Sequence, residues 1–184
     1  MDTEQLAMVA SSRRVRRSFG FVDLCRFTDY VDEHGDEAAV EELQRLRATV
    51  REITPLFGVR IEKWLGDGVM LVGTASEAIV SAVVAICERH RRNGALPLRA
   101  GIATGDVLLL EGDDYIGSEV NLGSRLCDLA SPGTVLASCS ALELPDWVRA
   151  EETAWVAAKG FAEPVEAVVL RADLDESARP GISR

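Results

Sequence analysis

The chain lacks a long apolar run. A membrane-spanning helix needs about 18 or more consecutive apolar residues, and no stretch of the 184 residues approaches that length. Residues 1–17 also lack the apolar segment and small-residue cleavage site of a secretory signal. We therefore expect a cytoplasmic protein without a membrane segment, and the length suits one domain with a single hydrophobic core.

Positive charge is also scarce. The 20 Lys and Arg residues are outnumbered by 30 Asp and Glu, so the formal net charge is −10. Nucleic-acid binding requires a surplus of basic side chains on one face, so we expect no nucleic-acid partner. The one basic cluster, Arg13–Arg17, precedes the first apolar segment and is interpreted as a solvated linker, with a phosphate- or membrane-contacting patch as the alternative. An acidic protein can still bind an anionic nucleotide when metal ions and local cations neutralise it.

The motifs of several enzyme classes are missing as well. The sequence has no HExxH, GxSxG or P-loop lysine motif, which sets aside the mechanisms that depend on them. Its cysteines form no CxxC pair and have no zinc spacing, so we interpret them as reduced core residues. They are Cys25, Cys87, Cys127 and Cys139. His34 and His90 stand alone in polar surroundings, and we expect neither to be catalytic or a metal ligand.

Apolar periodicity and turn signals predict an α+β fold. The predicted strands are 19–24, 59–65, 69–72, 96–103, 106–110, 134–138, 154–157 and 165–170, and the predicted helices are 36–57, 75–92 and 119–130. A hairpin is indicated at Gly66-Asp67-Gly68 and a bend at Thr104-Gly105. The order strand–helix–strand–strand–helix–strand is that of a ferredoxin-like βαββαβ core, to which the remaining helix and strands are additions. We expect the helices to pack on one mixed sheet.

Two short segments place an aspartate where a strand ends. In the first, Phe21–Thr28, Asp23 follows a strand and precedes a helix, which suits a divalent cation that carries phosphates. A turn or N-cap role is the ordinary alternative. In the second, Asp67 lies at a hairpin tip whose glycines permit the close approach of a ligand. The Asp-Gly pair is also a common hairpin dipeptide, so either aspartate alone is a weak signal.

Two further features concern cations and amides. Asn121 and Arg125 are spaced i, i+4, so both lie on one helix face, where they could grip a sugar and a phosphate or simply face solvent. Only Lys63 and Lys159 are lysines among the 20 basic residues. A retained lysine can mark a site that needs a compact ammonium, although chance at low frequency explains the count equally well.

In order and spacing, these segments resemble the class III nucleotidyl cyclases, the catalytic domain of adenylyl and guanylyl cyclases. The motifs are FxDxxxFT (21–28), KxxGD (63–67) and DYxGxxVNxxxR (114–125). The resemblance runs from about Ser18 to Leu170 and includes PGTVLAS (132–138) and KGFAEPVEAV (159–168). It divides the chain into an N-terminal extension or linker (1–17), a catalytic domain (18–172) and a flexible tail (173–184).

The resemblance implies an adenylyl cyclase that converts ATP to 3′,5′-cyclic AMP and pyrophosphate. Asp23 and Asp67 would hold two Mg²⁺ or Mn²⁺ ions per active site. Lys63 and Asp114 would recognise adenine. Asn121 would position the ribose, and Arg125 would stabilise charge on the α-phosphate. The further substrate contacts would be Phe27, Thr28 and Lys159, the last of them to the triphosphate.

The resemblance also implies a homodimer with head-to-tail composite sites. One protomer would supply the metal carboxylates, and its partner would supply the base, ribose and phosphate contacts. The family usually has glycine where this chain has Arg26, which could add a phosphate contact, point away or crowd the site. Three alternatives stay open: a non-catalytic nucleotide-binding or dimerisation module with the cyclase fold, a guanylyl cyclase, and a diguanylate cyclase. The last is disfavoured because the hairpin reads LGDGV rather than the paired-glycine acidic signature of that family.

Overall fold

The computed structural model describes residues 13–110 and 114–173, and in this part of the chain one sheet of eight strands carries three α-helices. The strands are β1 (Arg13–Leu24), β2 (Arg60–Leu65), β3 (Gly68–Gly73), β4 (Leu98–Leu109), β5 (Tyr115–Ile116), β6 (Val135–Ser138), β7 (Val148–Val156) and β8 (Val165–Ala172). The helices are α1 (Phe27–Ile53), α2 (Ser76–Asn93) and α3 (Ser118–Leu129), and a 3₁₀ turn (Thr54–Phe57) follows α1. None of these helices is long and apolar enough to cross a membrane.

The strand order confirms the predicted ferredoxin-like core. The order is β2-β3-β1-β4-β6-β8-β7, with β5 paired to β4. The pairs β2–β3, β3–β1 and β1–β4 are all antiparallel, so the first four strands with α1 and α2 form the βαββαβ unit. β6 extends this sheet in parallel with β4, and β8 and β7 continue it as an antiparallel pair.

The two faces of the sheet bury different helices. Because side chains alternate along a strand, Val22 and Leu24 of β1 face α1 and α2, whereas Phe19 and Phe21 face α3. α3 lies directly on the backbone of β4: a Cβ at Gly101 would come within 2.2 Å of the Gly123 carbonyl oxygen. This close approach places α3 over the β1–β4 pair.

β4 is a single strand, so the predicted bend at Thr104-Gly105 is wrong. Its register with β1 runs unbroken from Leu24↔Leu98 to Arg13↔Leu109. A Cβ at Gly105 would lie 2.6 Å from Cγ of Glu119, so the glycine makes room for the start of α3 rather than for a turn. The glycine in the Thr104-Gly105 pair thus serves the packing of α3 on β4 and does not form a turn.

The interpretation of residues 13–17 as a linker is also wrong. Arg13–Arg17 form the first part of β1 and pair with residues 105–109 of β4. Val15 packs against the buried cluster that contains Phe19 and Val107, whereas the arginines on either side of it are partly or fully exposed. Because four of these five residues are arginines, the segment shows no alternation of apolar and polar residues, which is the pattern that predicts a strand. Residues 1–12 and the tail from 174 onwards lie outside the described residues.

Two other elements differ in length from the prediction. α1 begins at Phe27 rather than 36, with a break at Gly35 (φ 83°, ψ 170°), so the predicted start coincides with its second segment. The first segment is mostly exposed and carries little apolar periodicity. β7 starts at Val148 rather than 154; it is an edge strand, and most of its side chains are exposed. The four cysteines are free thiols, as predicted.

His90 does not stand alone, which corrects the prediction. It is completely buried on α2, with Nε2 3.0 Å from Oε1 of Glu42, a carboxylate on α1 that is also completely buried. The same carboxylate oxygen accepts hydrogen bonds from the backbone N–H groups of Ala95 (2.9 Å) and Leu96 (3.2 Å), and Arg45 contacts the other oxygen. Glu42 therefore joins α1, α2 and the segment that leads into β4.

Candidate active site

Asp23 and Asp67 lie at the same edge of the sheet. Asp23 is near the end of β1, opposite Gly68 on β3 and Arg99 on β4. A Cβ at Gly68 would lie 2.9 Å from Oδ1 of Asp23, so this glycine leaves space for the carboxylate. Asp67 is in the β2–β3 turn, which Gly66 closes with φ 68°, and its carbonyl oxygen accepts a hydrogen bond from the N–H of Leu24. The predicted hairpin is confirmed.

The two carboxylates at this edge, Asp23 and Asp67, influence each other's charge. Burial raises the pKa of Asp67, and the neighbouring negative charge of Asp23 raises it further. Mg²⁺ and related ions take oxygen ligands and are commonly held by one or two carboxylates together with substrate phosphates and water. Within residues 13–110 and 114–173, no three or more His, Cys, Asp and Glu side chains are grouped as a metal cage. The donor set is thus two carboxylates, which fits a divalent cation that arrives with a nucleotide.

Arg99 is a site residue that the sequence did not reveal. Its Nε and Nη2 donate to Oδ2 of Asp23 at 3.0 and 2.7 Å, and its Nη1 donates to the carbonyl oxygen of Asp128 on α3 at 3.1 Å. Asp23 and Arg99 are 76 residues apart, and only the register of β1 with β4 makes them neighbours. No local pattern of residues could have indicated this contact.

Lys63 and Asp114 are brought together by the fold. Lys63 Nζ lies 3.0 Å from Oδ1 of Asp114, across 51 residues of chain. The register of β2 with β3 shifts between Ile61 and Lys63, and such a bulge changes the direction of the side chains that follow. Both partners are about half exposed or more, so the ion pair adds little stability and remains accessible to a ligand.

Asn121 and Arg125 lie on α3 as the spacing predicted. Asn121 is exposed, and Arg125 is partly buried with Nη1 3.3 Å from Oδ2 of Asp128. The contact of Gly101 with Gly123, between these two residues, sets the distance of this part of α3 from the sheet. A cleft of about 160 Å³ separates Asp23 from α3 and is lined among others by Ser124 and Asp128.

Arg26 has the backbone conformation that explains a glycine in the family. Its φ of 59° and ψ of 33° lie in the left-handed region, which glycine adopts without steric cost. The side chain is largely exposed, and its Nε donates to Oδ2 of Asp29 at 3.0 Å, in the first turn of α1. In this structure the Arg26 side chain therefore contacts the first turn of α1, and a phosphate contact by Arg26 stays a prediction.

The remaining predicted substrate contacts are less closely grouped. Phe27 is partly buried against the core, and Thr28 is exposed in the first turn of α1, next to the end of β1. Lys159 is exposed in the turn between β7 and β8, beside Gly160 with φ 94°. Two strands, β4 and β6, lie between β8 and β1 in the sheet. The role of Lys159 therefore stays a prediction.

Curated proteins that resemble this chain include an adenylate cyclase, although no family model matches it. An uncharacterised protein of Mycobacterium tuberculosis is 36% identical over 162 residues, which are 87% of this chain and 42% of that protein. A pH-sensitive adenylate cyclase of M. tuberculosis is 33% identical over 162 residues, 84% of this chain and 38% of the cyclase. The chain thus spans less than half the length of these curated relatives.

Solved structures cover the chain more completely. An adenylyl cyclase from P. aeruginosa superposes with a TM-score of 0.76 at 27% identity, over 86% of this chain and 95% of the other. A guanylyl cyclase superposes with a TM-score of 0.74 at 20% identity, over 92% and 98%. The likeness to the guanylyl cyclase shows the shared fold alone, whereas the adenylyl cyclase also shares sequence similarity with this chain.

Proposed function

Because the chain belongs to the class III nucleotidyl cyclase catalytic domains, we propose that it converts ATP to 3′,5′-cyclic AMP and pyrophosphate. The observation that carries the choice of ATP is the contact of Lys63 Nζ with Asp114 Oδ1 at 3.0 Å. An ammonium and a carboxylate side by side match adenine, whose ring nitrogen accepts a hydrogen bond and whose exocyclic amine donates one. Guanine carries a ring donor and a carbonyl at these positions, so both contacts would be mismatched.

The catalytic roles follow from the chemistry of each group. Asp23 and Asp67 would hold divalent cations, which would supply Lewis acidity to the ribose 3′-hydroxyl and the triphosphate. Asn121 orients the ribose by hydrogen bonding. Arg125 leaves Asp128 and donates to the α-phosphate as charge grows there, a task suited to a planar donor fork. The bond from the 3′-oxygen to the α-phosphorus forms as the bond from the α-phosphorus to the oxygen that bridges the α- and β-phosphates breaks, so pyrophosphate leaves and the hydroxyl proton passes to water.

We further propose that two copies of the chain share each site head to tail. The cleft beside Asp23 measures about 160 Å³, whereas pockets that enclose a ligand typically measure roughly 300–1,000 Å³. Lys63, Asp114 and Asn121 are exposed on the protomer, which suits residues that meet a nucleotide held by another copy. Asp23 and Asp67 of one protomer then act with the base, ribose and phosphate contacts of the other.

An assay of both nucleotides tests the activity. With Mn²⁺, we expect cyclic AMP formation from ATP to exceed cyclic GMP formation from GTP at least about 30-fold in kcat/KM. Two mismatched groups cost roughly 1–3 kcal/mol each once the proposed dimer encloses the base. Preferential use of GTP would contradict the adenine assignment. Binding of ATP without turnover would instead support a nucleotide-binding module.

Mixing two inactive variants tests the shared sites. Asp67→Ala disables the metal half, and Arg125→Ala disables the phosphate half of a site. In an equal mixture, half of the dimers combine one chain of each kind and have one intact site of two, so we expect recovery to about one quarter of wild-type activity. The two variants alone are the controls. If the mixture is no more active than its components, each site is not shared between protomers.

A further inference from the structure

Two side-chain contacts join β2 to the start of β5. Lys63 Nζ lies 3.0 Å from Oδ1 of Asp114, and Nη2 of Arg60 donates to the hydroxyl oxygen of Tyr115 at 3.2 Å. Asp114 and Tyr115 are consecutive, yet they lie 51 and 55 residues from their partners along the chain. In the sheet, β3, β1 and β4 lie between β2 and β5. Side chains rather than strand pairing therefore connect these two segments.

A bulge in β2 directs both cations to the same face of the sheet. Residues three apart on a regular strand point to opposite faces. Here Arg60 lies opposite Val72 of β3. After a shift of register, Lys63 lies opposite Met70. Both of these β3 residues belong to the buried cluster on the α3 face. The extra residue, Glu62, thus places the side chains of Arg60 and Lys63 on one face.

The bulge also orients the Arg60 side chain. Nη2 of Arg60 lies 2.6 Å from Oε2 of Glu62, whose side chain is only 8% exposed. The bulged residue therefore supplies an almost buried carboxylate that holds the guanidinium where it can donate to Tyr115. Because the donor is charged, this hydrogen bond is stronger than one between two neutral groups.

Tyr115 has few other contacts that could fix its position. Its ring meets the ring of Phe19 edge to face, with centroids 5.4 Å apart. β5 consists of two residues, which pair with the end of β4. Arg60 and Tyr115 border a cavity of about 290 Å³, so close packing does not surround the pair. The neighbouring Asp114 is 66% exposed, and its position therefore depends on how Tyr115 is held.

We propose that Tyr115 is a positioning residue that, held by Arg60, keeps Asp114 beside Lys63 and so maintains the choice of adenine over guanine. This inference rests on the proposed function, which assigns Lys63 and Asp114 to the base. Tyr115 acts through Asp114 and needs no contact of its own with the nucleotide. Without the Arg60 contact, Asp114 moves relative to Lys63, and the pair matches adenine less closely. Activity with ATP then falls more than activity with GTP.

The test is the ratio of kcat/KM for ATP to kcat/KM for GTP, measured with Mn²⁺. Tyr115→Phe removes the hydroxyl and keeps the ring that packs on Phe19. We expect the ratio to fall about fivefold, which corresponds to about 1 kcal/mol, mainly through a higher KM for ATP. Arg60→Met should lower it by a similar factor, and the double variant should lower it no further, because the two residues act as one unit.

The ratio separates this role from a structural one. Both substrates are measured on one preparation, so a loss of folded protein cancels, and a merely structural residue would leave the ratio unchanged. Tyr30→Phe is the matched control, because Tyr30 is the only other tyrosine of the chain and stacks on His34 within α1. It should keep the wild-type ratio.

A second background tests whether Tyr115 acts through Asp114. When Asp114→Asn is already present, Tyr115→Phe should leave the ratio unchanged. A further fall in that background, or equal ratios for Tyr115→Phe and Tyr30→Phe, would overturn the proposal. If Asp114→Asn by itself leaves the wild-type ratio unchanged, the adenine assignment of the proposed function fails, and this inference fails with it.

Discussion

Asp67→Asn is expected to lower kcat for cyclic AMP formation by about 1,000-fold or more, equivalent to about 4 kcal/mol of transition-state stabilisation. The amide keeps the size of the side chain but removes the negative charge that holds a divalent cation. The hairpin itself depends on Gly66 and on the backbone of Asp67 rather than on its carboxylate. Turnover measured with ATP and Mn²⁺ provides the result.

Although Asp67→Asn should lose activity, we expect it to be at least as stable as wild type. Because burial and the charge of Asp23 raise the pKa of Asp67, the ionised carboxylate is disfavoured in the folded protein, and its removal relieves this cost at neutral pH. We expect a Tm equal to or above that of wild type. Asp146→Asn is the matched control, since Asp146 is exposed in a turn before β7 and should retain wild-type turnover. Full activity of Asp67→Asn would refute the metal assignment.

Glu42→Ala is expected to lower the free energy of unfolding by about 3–5 kcal/mol, the range seen when one partner of a buried ionic contact is removed. Its completely buried carboxylate is contacted by His90, Arg45 and two backbone N–H groups, at Ala95 and Leu96. Alanine would leave these donors without an acceptor. Denaturant unfolding followed by circular dichroism measures the loss.

The neighbouring Glu41→Ala is the control, because Glu41 is exposed on the same helix. Glu42→Gln keeps an acceptor oxygen for the backbone donors, so we expect an intermediate loss. A Glu42→Ala protein within about 1 kcal/mol of Glu41→Ala would show that the buried cluster contributes no more than a surface residue, which typically lies within ±0.5 kcal/mol.

The same cluster predicts the direction of acid sensitivity. Burial lowers the pKa of His90 below its ordinary 6.5, although Glu42 opposes this shift. Burial acts to raise the pKa of Glu42, but hydrogen bonds from Leu96 and Ala95, with His90 and Arg45, lower it below 4.5. For both groups the unfolded chain binds more protons, so wild-type stability should fall as pH drops below about 6.5. Replacing Glu42 should reduce the part of this dependence that lies below pH 4.5.

The residues of the candidate site were predictable to very different extents. Six residues were predicted from motifs, because their types and spacings can be read along the chain, and their roles stay predictions. They are Asp23, Lys63, Asp67, Asp114, Asn121 and Arg125. Arg99 was missed because its partner is 76 residues away and only strand register pairs them. The Glu42–His90 contact was missed for the same reason: it joins two helices whose packing no local pattern records.

Errors in the predicted elements have a related cause. Gly105 was interpreted as a bend, yet β4 continues through it because it stays paired with β1. The glycine leaves the space that the Glu119 side chain occupies. The arginines of 13–17 were interpreted as a linker, yet β4 offers them a continuous partner strand. In both cases the local preference was weak, and pairing with a distant segment determined the outcome.

By itself the sequence determined the family, the α+β class, the β2–β3 hairpin and the helical spacing of Asn121 and Arg125, since these depend on residues close together in the chain. The tertiary structure alone decided which distant groups meet. It placed Lys63 against Asp114, Arg99 between Asp23 and Asp128, and Glu42 against His90. Strand register and helix packing create these contacts, and both arise from the burial of whole surfaces rather than from any short run of residues.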